Sequence, residues 1–276
     1  EGADRVRELI KWRTPFVREG KKFSLAMEGG HSRARILHKG DRTGAMLSTT
    51  LLKRAGKAEN VSILSDTFVL DLVTHRSTCV GAVLWSKEKG LHWVRARTTI
   101  LATGGAGQLY RETTNSAVAT GDGIAMAWRA GAELMDLEFY QFHPTTLYLA
   151  GASRALITEA VRGEGGVLRD RKGRAFMKEY HPMGDLAPRD VVSRAILDHM
   201  LRTKDTQVYL DVRKVKRVRQ RFPGLAGVAD NYKLKLTKDL IPVRPSAHYM
   251  IGGIRIDSFG RTSVKNLFAC GECATS

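Results

Sequence analysis

The sequence predicts an α/β or α+β chain rather than an all-helical one. Short β-forming runs alternate with helical ones along its length. Residues 98–102 (TTILA) form an apolar run that ends in Thr103-Gly104-Gly105, and a buried strand closed by a glycine turn is where an α/β sheet presents a ligand. Three further β-forming runs at 67–73, 79–85 and 91–96 are separated by His-Arg-Ser and Lys-Glu-Lys-Gly turn material, which predicts a three-stranded antiparallel meander.

The remaining elements follow in order. Residues 60–64 (NVSIL) read as a strand. Gly121-Asp122-Gly123 precedes IAMAWRAGA, a run apolar enough for a buried helix whose small residues allow close packing. Pro188 sits at the first turn of a second helix, RDVVSRAILDHML, where Val191, Ile196, Leu197, Met200 and Leu201 share an apolar side. The C-terminal stretch from His248 reads as strand, glycine pair, strand, turn and strand. The basic run from Lys214 to Arg221 reads as the solvated face of one helix.

Composition excludes several classes. A chain of 276 residues, 43% hydrophobic and 26% charged, can bury one large core or two ordinary ones and is not disordered. No run approaches the ~20 apolar residues of a membrane span, so none is expected. The start has neither Met nor a basic-then-apolar leader and reads as a chain entered partway through. A net charge of +17 suits anionic partners. Aromatic content is only 7%, however, and no aromatic residue interleaves the densest basic run, which argues against a nucleic-acid platform. Three cysteines build no disulfide framework and fit a reducing, cytoplasmic setting. Cys270 and Cys273 have C-x-x-C spacing without the second pair that a structural zinc site needs.

No complete catalytic motif is present. The run from Gly105 to Tyr110 lacks the last glycine of a dinucleotide fingerprint, and P-loop, H-E-x-x-H and G-x-S-x-G patterns do not occur. What remains is a set of polar residues in apolar or glycine-rich company: Glu28 and His31 around a glycine pair, His143 between Phe142 and Pro144, Glu159 and Arg162 at i,i+3, Arg189 at a helix start, and His248 before Gly252-Gly253. Each has a plain structural reading. Glu159 and Arg162 alone would be a helix-surface pair worth ~0.3–0.5 kcal/mol. An Arg at a helix N-terminus is disfavoured by the dipole and calls for an anionic partner, either a carboxylate or a ligand. Taken together, these Arg and His residues suit a dicarboxylate.

Eight ordered blocks sharpen this reading: EGGHSRARILH (28–38), LATGGAGQLY (101–110), TGDGIAMAWRAGA (120–132), QFHPT (141–145), ITEAVRGEGG (157–166), LAPRDVVSRAI (186–196), AHYMIGGI (247–254) and LFACGE (267–272). Over nearly the whole chain they resemble the succinate dehydrogenase/fumarate reductase flavoprotein family. The EGGHS block is similar to its L-aspartate oxidase branch. The resemblance implies a partial Rossmann-like FAD-binding domain with the antiparallel meander, plus a substrate-capping domain of α+β type. The later part of the FAD domain would span 1–140, the capping domain 141–246, and the return to the FAD domain 247–276. It also implies that the loop gripping the FAD pyrophosphate lies upstream of residue 1 and a helical domain downstream of residue 276.

By the same resemblance Arg189 shuttles a proton, an unusual task for a guanidinium, with Arg162 as the nearby cation and Glu159 as relay. His143, Thr158 and His248 would hold substrate carboxylates, and Glu28 would face the substrate ammonium or else cap its glycine turn. Ala102, Thr103, Gly104 and Gly105 would lie against the adenosine side of FAD. Asp122 and Glu272 would contact the cofactor, although Asp122 equally suits a helix cap. The implied reaction is oxidation of L-aspartate to iminosuccinate, the first step toward quinolinate and NAD, with fumarate or oxygen as acceptor and quinolinate synthase downstream. A succinate dehydrogenase or fumarate reductase flavoprotein subunit is the alternative. No metal ligands and no nucleic-acid partner are expected.

Overall fold

The computed structural model describes residues 1–26, 31–152 and 154–275. The chain divides into two compact units, Glu1–Ile63 with Pro144–Pro245 and Leu64–His143 with Ser246–Ser276. The chain passes between them within two strands, Tyr140–Leu147 and Ile241–Met250.

In the unit that begins at Leu64, the meander lies where the sequence predicts it. Strand Thr67–His75 pairs antiparallel with Thr78–Ser86, and that strand with Gly90–Arg95. The first hairpin turns on Arg76 and Ser77, both at positive φ (46° and 57°), as a two-residue turn of matching twist requires. Strand Thr99–Leu101 pairs in parallel with Leu267–Ala269, so the chain segments that leave their carboxyl ends emerge side by side. Cys79, Leu101, Ile124, Ala127, Ile254, Leu267 and Cys273 form the core of this unit. Helix Asp122–Arg129 packs against the loop after Thr99–Leu101 through Gly123, where a Cβ would lie 2.7 Å from the Cβ of Thr103. Only glycine permits that approach.

In the other unit, a four-stranded sheet has the order Tyr140–Leu147, Ile241–Met250, Val208–Asp211, Val167–Arg169. Leu147, Leu168, Leu210, Ile241 and Val243 contribute to a core shared with Ile157, Phe176, Val192 and Ile196. Helix Arg189–Thr203 begins after Pro188, whose fixed φ suits the position, and ends on Lys204 at φ 55°. Helix Pro223–Asn231 is capped from far away in sequence. The Asp41 carboxylate accepts the backbone N–H groups of Gly224 and Leu225, each at 3.0 Å. Among the described residues no helix is long and apolar enough to cross a membrane.

Four local expectations are corrected. Residues 60–64 form no strand; Val61, Ile63 and Leu64 are exposed there, and no neighbouring strand offers them a ladder among the described residues. The strand Thr99–Leu101 is not buried on both faces, since Ile100 is 63% exposed while Leu101 is 4%. The apolar side of helix Arg189–Thr203 is rotated from the predicted one: Val192, Ala195, Ile196, His199 and Met200 face inward, and Leu197 and Leu201 are exposed. The basic run is not one solvated helix face. It is a turn followed by the short helix Val218–Arg221, in which Val215 and Val218 are buried anchors, while Arg219 pairs with Asp230 and Arg221 with Glu164.

Asp211, at the end of strand Val208–Asp211, makes this unit sensitive to acid. Arg213 donates to its two oxygens at 2.8 and 2.9 Å, and Arg169 at 2.6 Å. These bonds, Arg213's foremost, hold the Asp211 carboxyl well below the usual carboxylate range although the side chain is buried. A depressed folded-state pKa contributes stability above the unfolded value near ~3.9 and loses it as pH falls toward the folded one. Urea midpoints of the protein should therefore fall steeply below about pH 4, and less steeply in Asp211→Asn.

Candidate active site

The buried carboxylate of Glu159 gathers two arginines. Glu159 caps the short helix Ala160–Gly163 and is 5% exposed, and Arg162, one turn on, is 2% exposed. Arg162 Nη2 lies 3.3 Å from Glu159 Oε1, and Arg189 Nε donates to Glu159 Oε2 at 2.6 Å. Arg189 thus finds the anionic partner that its place at a helix start calls for. Arg162 also donates through Nη1 to the backbone oxygen of Asp185, whose side chain accepts the N–H of Leu168 at 2.8 Å. Among the described residues its Nε has no hydrogen-bond partner, and Nη2 has only the ion pair with Glu159. The surface-pair reading of Glu159 and Arg162 is excluded by this burial.

The electrostatics follow from the geometry. Burial pushes the Arg162 guanidinium down; the carboxylates of Glu159 and Asp185 oppose the shift and the neighbouring Arg189 charge adds to it. Burial likewise raises the Asp185 carboxyl. Two cations therefore share one buried carboxylate, with Arg162 sealed inside and the Arg189 side chain 28% exposed. Thr158, partly buried, stands immediately before this array, and its hydroxyl accepts the N–H of Ala160 at 3.4 Å.

In the second unit, His143 and His248 come together with ring centroids 5.1 Å apart in an edge-on arrangement. His143 is 1% exposed. Thr114 Oγ1 lies 2.8 Å from His248 Nδ1, and Asn115 Nδ2 donates to the His248 carbonyl at 2.8 Å. Tyr140 donates to Asn115 Oδ1 at 3.1 Å; burial, with the Glu272 charge second, raises its phenol to about 12. Thr114, Asn115 and Asp185 were not legible as site residues. Their only signal was a polar run beside the glycine-rich blocks.

The glycine loop and Glu272 also meet. Ala102 and Thr103 are exposed at the carboxyl end of strand Thr99–Leu101, and Gly104 turns the chain at φ 75°. A Cβ on Gly105 would stand 2.5 Å from Glu272 Oε1, the oxygen that accepts the Met250 N–H at 2.9 Å. Glu272 thus reaches the loop from the neighbouring parallel strand Leu267–Ala269. Asp122 is not a helix cap: Gly121, at φ 80°, occupies the N-cap, and exposed Asp122 accepts the Thr120 hydroxyl at 2.9 Å. Glu28 lies outside the described residues.

A glycine-bearing loop and a fixed carboxylate lie at the carboxyl edge of parallel strands, where an α/β sheet presents a ligand. The chain belongs to the FAD binding domain family, whose model matches residues 1–276. Its cofactor is FAD, and the exposed loop at Ala102–Thr103 and the Glu272 oxygen not engaged by Met250 fit a group with a hydroxyl-bearing chain. Among relatives, the L-aspartate oxidase of Nostoc sp. is 44% identical over 98% of this chain and 48% of its own length. That of Synechocystis sp. is 41% identical over 98% of this chain and 50% of its own. The chain spans about half the length of these curated relatives. Among solved structures, a variant of E. coli quinol fumarate reductase superposes with a TM-score of 0.91 at 34% identity, over 99% of this chain and 50% of that one.

Breaking the array should expose its cost. Glu159→Gln leaves a guanidinium that is 2% exposed without its carboxylate, and should destabilise the protein by about 3 kcal/mol in urea unfolding. Adding Arg162→Met should recover most of that loss.

Proposed function

We infer that the protein carries out the FAD-dependent oxidation of L-aspartate to iminosuccinate, the first step toward quinolinate and NAD. The observation that carries this reading is the buried Arg162–Glu159–Arg189 array, in which one enclosed carboxylate bridges two guanidiniums. Support comes from relatives named L-aspartate oxidase.

FAD, when bound, accepts a hydride at its flavin N5. Arg189 takes the proton that leaves the substrate and is linked to Glu159 by the 2.6 Å hydrogen bond, along which a proton is handed on. Arg162 places a second positive charge beside this relay, 3.3 Å from Glu159 Oε1. His143, His248 and Thr158 hold carboxylate oxygens, and Glu28 faces the ammonium that distinguishes aspartate from succinate. Ala102 to Gly105 lie along the adenosine side of FAD, and Asp122 and Glu272 meet its hydroxyl groups. The later FAD domain spans 1–140 and 247–276, and the capping domain 141–246. Fumarate or oxygen serves as the final acceptor and quinolinate synthase takes the product. The three free cysteines suit a cytoplasmic setting.

A respiratory dicarboxylate flavoprotein is the second reading, favoured by the superposition on fumarate reductase. Anaerobic addition of L-aspartate or succinate to the FAD-loaded protein separates the two. Bleaching of the visible flavin band by L-aspartate alone is the expected outcome; bleaching by succinate alone would move the protein to the second reading. Arg189→Lys should slow bleaching by at least about a hundredfold. Near-normal rates in that variant would remove Arg189 from the proton path.

A further inference from the structure

We propose that Thr114 is a positioning residue that fixes the tautomer of His248. Its hydroxyl donates to Nδ1 and so keeps the proton of the neutral ring on Nε2, where it serves as a donor to a substrate carboxylate. The proposal rests on the reading of His248 as a carboxylate ligand.

The assignment follows from counting protons around one carbonyl. Segment 112–114 lies along the strand Ile241–Met250 at Ala247, which donates its N–H to the Glu112 carbonyl at 3.0 Å. The Ala247 oxygen accepts the backbone N–H of Thr114 at 3.0 Å and the Thr113 hydroxyl at 3.0 Å. A carbonyl oxygen has two lone pairs, and these two bonds fill them. The Thr114 hydroxyl stands 3.5 Å from the same oxygen but 2.8 Å from His248 Nδ1. Its single proton therefore goes to Nδ1. The opposite assignment, with Nδ1–H donating to Thr114, would send the hydroxyl proton as a third donor to an occupied acceptor at the longer distance.

The surroundings hold this geometry. Asn115 Nδ2 binds the His248 carbonyl, its N–H donates to Thr113 Oγ1 at 3.1 Å, and Tyr140 donates to its Oδ1. Gly107 leaves room for that amide, because a Cβ there would overlap the Asn115 side chain, standing 2.6 Å from its Cγ. His248 is thus anchored at its backbone by Asn115 and at Nδ1 by Thr114, while the two imidazoles pack edge to face with centroids 5.1 Å apart. An imidazole so oriented presents Nε2–H without charging the ring, and a donor to a carboxylate is what a dicarboxylate ligand needs.

The test compares wild type, Thr114→Val and Thr114→Ser in the FAD-loaded protein. Long-range ¹H–¹⁵N correlation spectra, with His248→Gln to assign the ring, report which nitrogen is protonated. Wild type and Thr114→Ser should show an unprotonated Nδ1, and Thr114→Val a shift toward the other tautomer. The KM for L-aspartate should rise about tenfold in Thr114→Val with kcat kept within a few-fold, and return in Thr114→Ser. A protonated Nδ1 in wild type, or the same tautomer in Thr114→Val, would overturn the proposal, as would a tautomer shift that leaves KM unchanged. If L-aspartate fails to reduce the wild-type flavin, the functional reading falls, and the spectra still decide where the Thr114 proton goes.

Discussion

The constraint on which the Pro144–Pro245 region depends is the burial of one carboxylate between two guanidiniums. Glu159 and Arg162 lose nearly all contact with water, so removing the carboxylate would leave the Arg162 guanidinium buried without it. Their surroundings are built to match. Asp185 gives its backbone oxygen to Arg162 and uses its side chain to hold the N–H of Leu168, the central residue of the strand Val167–Arg169. Helix Arg189–Thr203 brings the second arginine from 30 residues away. A helix start is an unfavourable place for a cation, and the helix compensates by aiming Arg189 at a carboxylate held by a different element.

The same logic of close approach governs the second unit. Gly123 lets a helix press against Thr103, Gly105 lets Glu272 reach the loop, and Gly107 leaves space for Asn115. In each case the missing side chain is filled by a polar group from another segment, and those groups are the ones expected to meet FAD or to orient His248. Glycine here acts less through unusual φ angles than through the volume it yields.

Much of this was legible in the sequence, for identifiable reasons. The meander was readable because its three runs carry β-branched and aromatic residues between turn residues, and pairing within one short stretch needs no distant information. The mixed α/β class followed from β-forming runs alternating with helical ones, and the FAD-binding family from glycine-rich blocks in a fixed order. The failures share a cause. Residues 60–64 carry β-forming residues, but a strand needs a neighbour, and propensity does not supply one. The inward face of helix Arg189–Thr203 was misread because Leu197 and Leu201 are apolar yet exposed, whereas His199 is buried and stacked on Phe176 with centroids 4.1 Å apart. Periodicity ranks side chains by polarity and cannot see a stacked imidazole. The burial of Glu159 and Arg162 was hidden for the same reason: two charges at i,i+3 look like solvent, and only the fold shows them enclosed.

The parallel pairing of Thr99–Leu101 with Leu267–Ala269 has a consequence for the order in which the protein is made. Leu101 offers its carbonyl to the Cys273 thiol across 172 positions of sequence. At a ribosomal rate of ~5–20 residues per second, that partner emerges roughly 10–35 s later. Until then the strand end at Leu101, buried in the finished unit, stands with an unpaired edge beside a completed meander. The Pro144–Pro245 segment of the other unit is synthesised within that interval. The segment Pro144–Pro245 is therefore made before the unit that holds Leu101 can be completed, and that unit is closed only when Ser246–Ser276 has emerged.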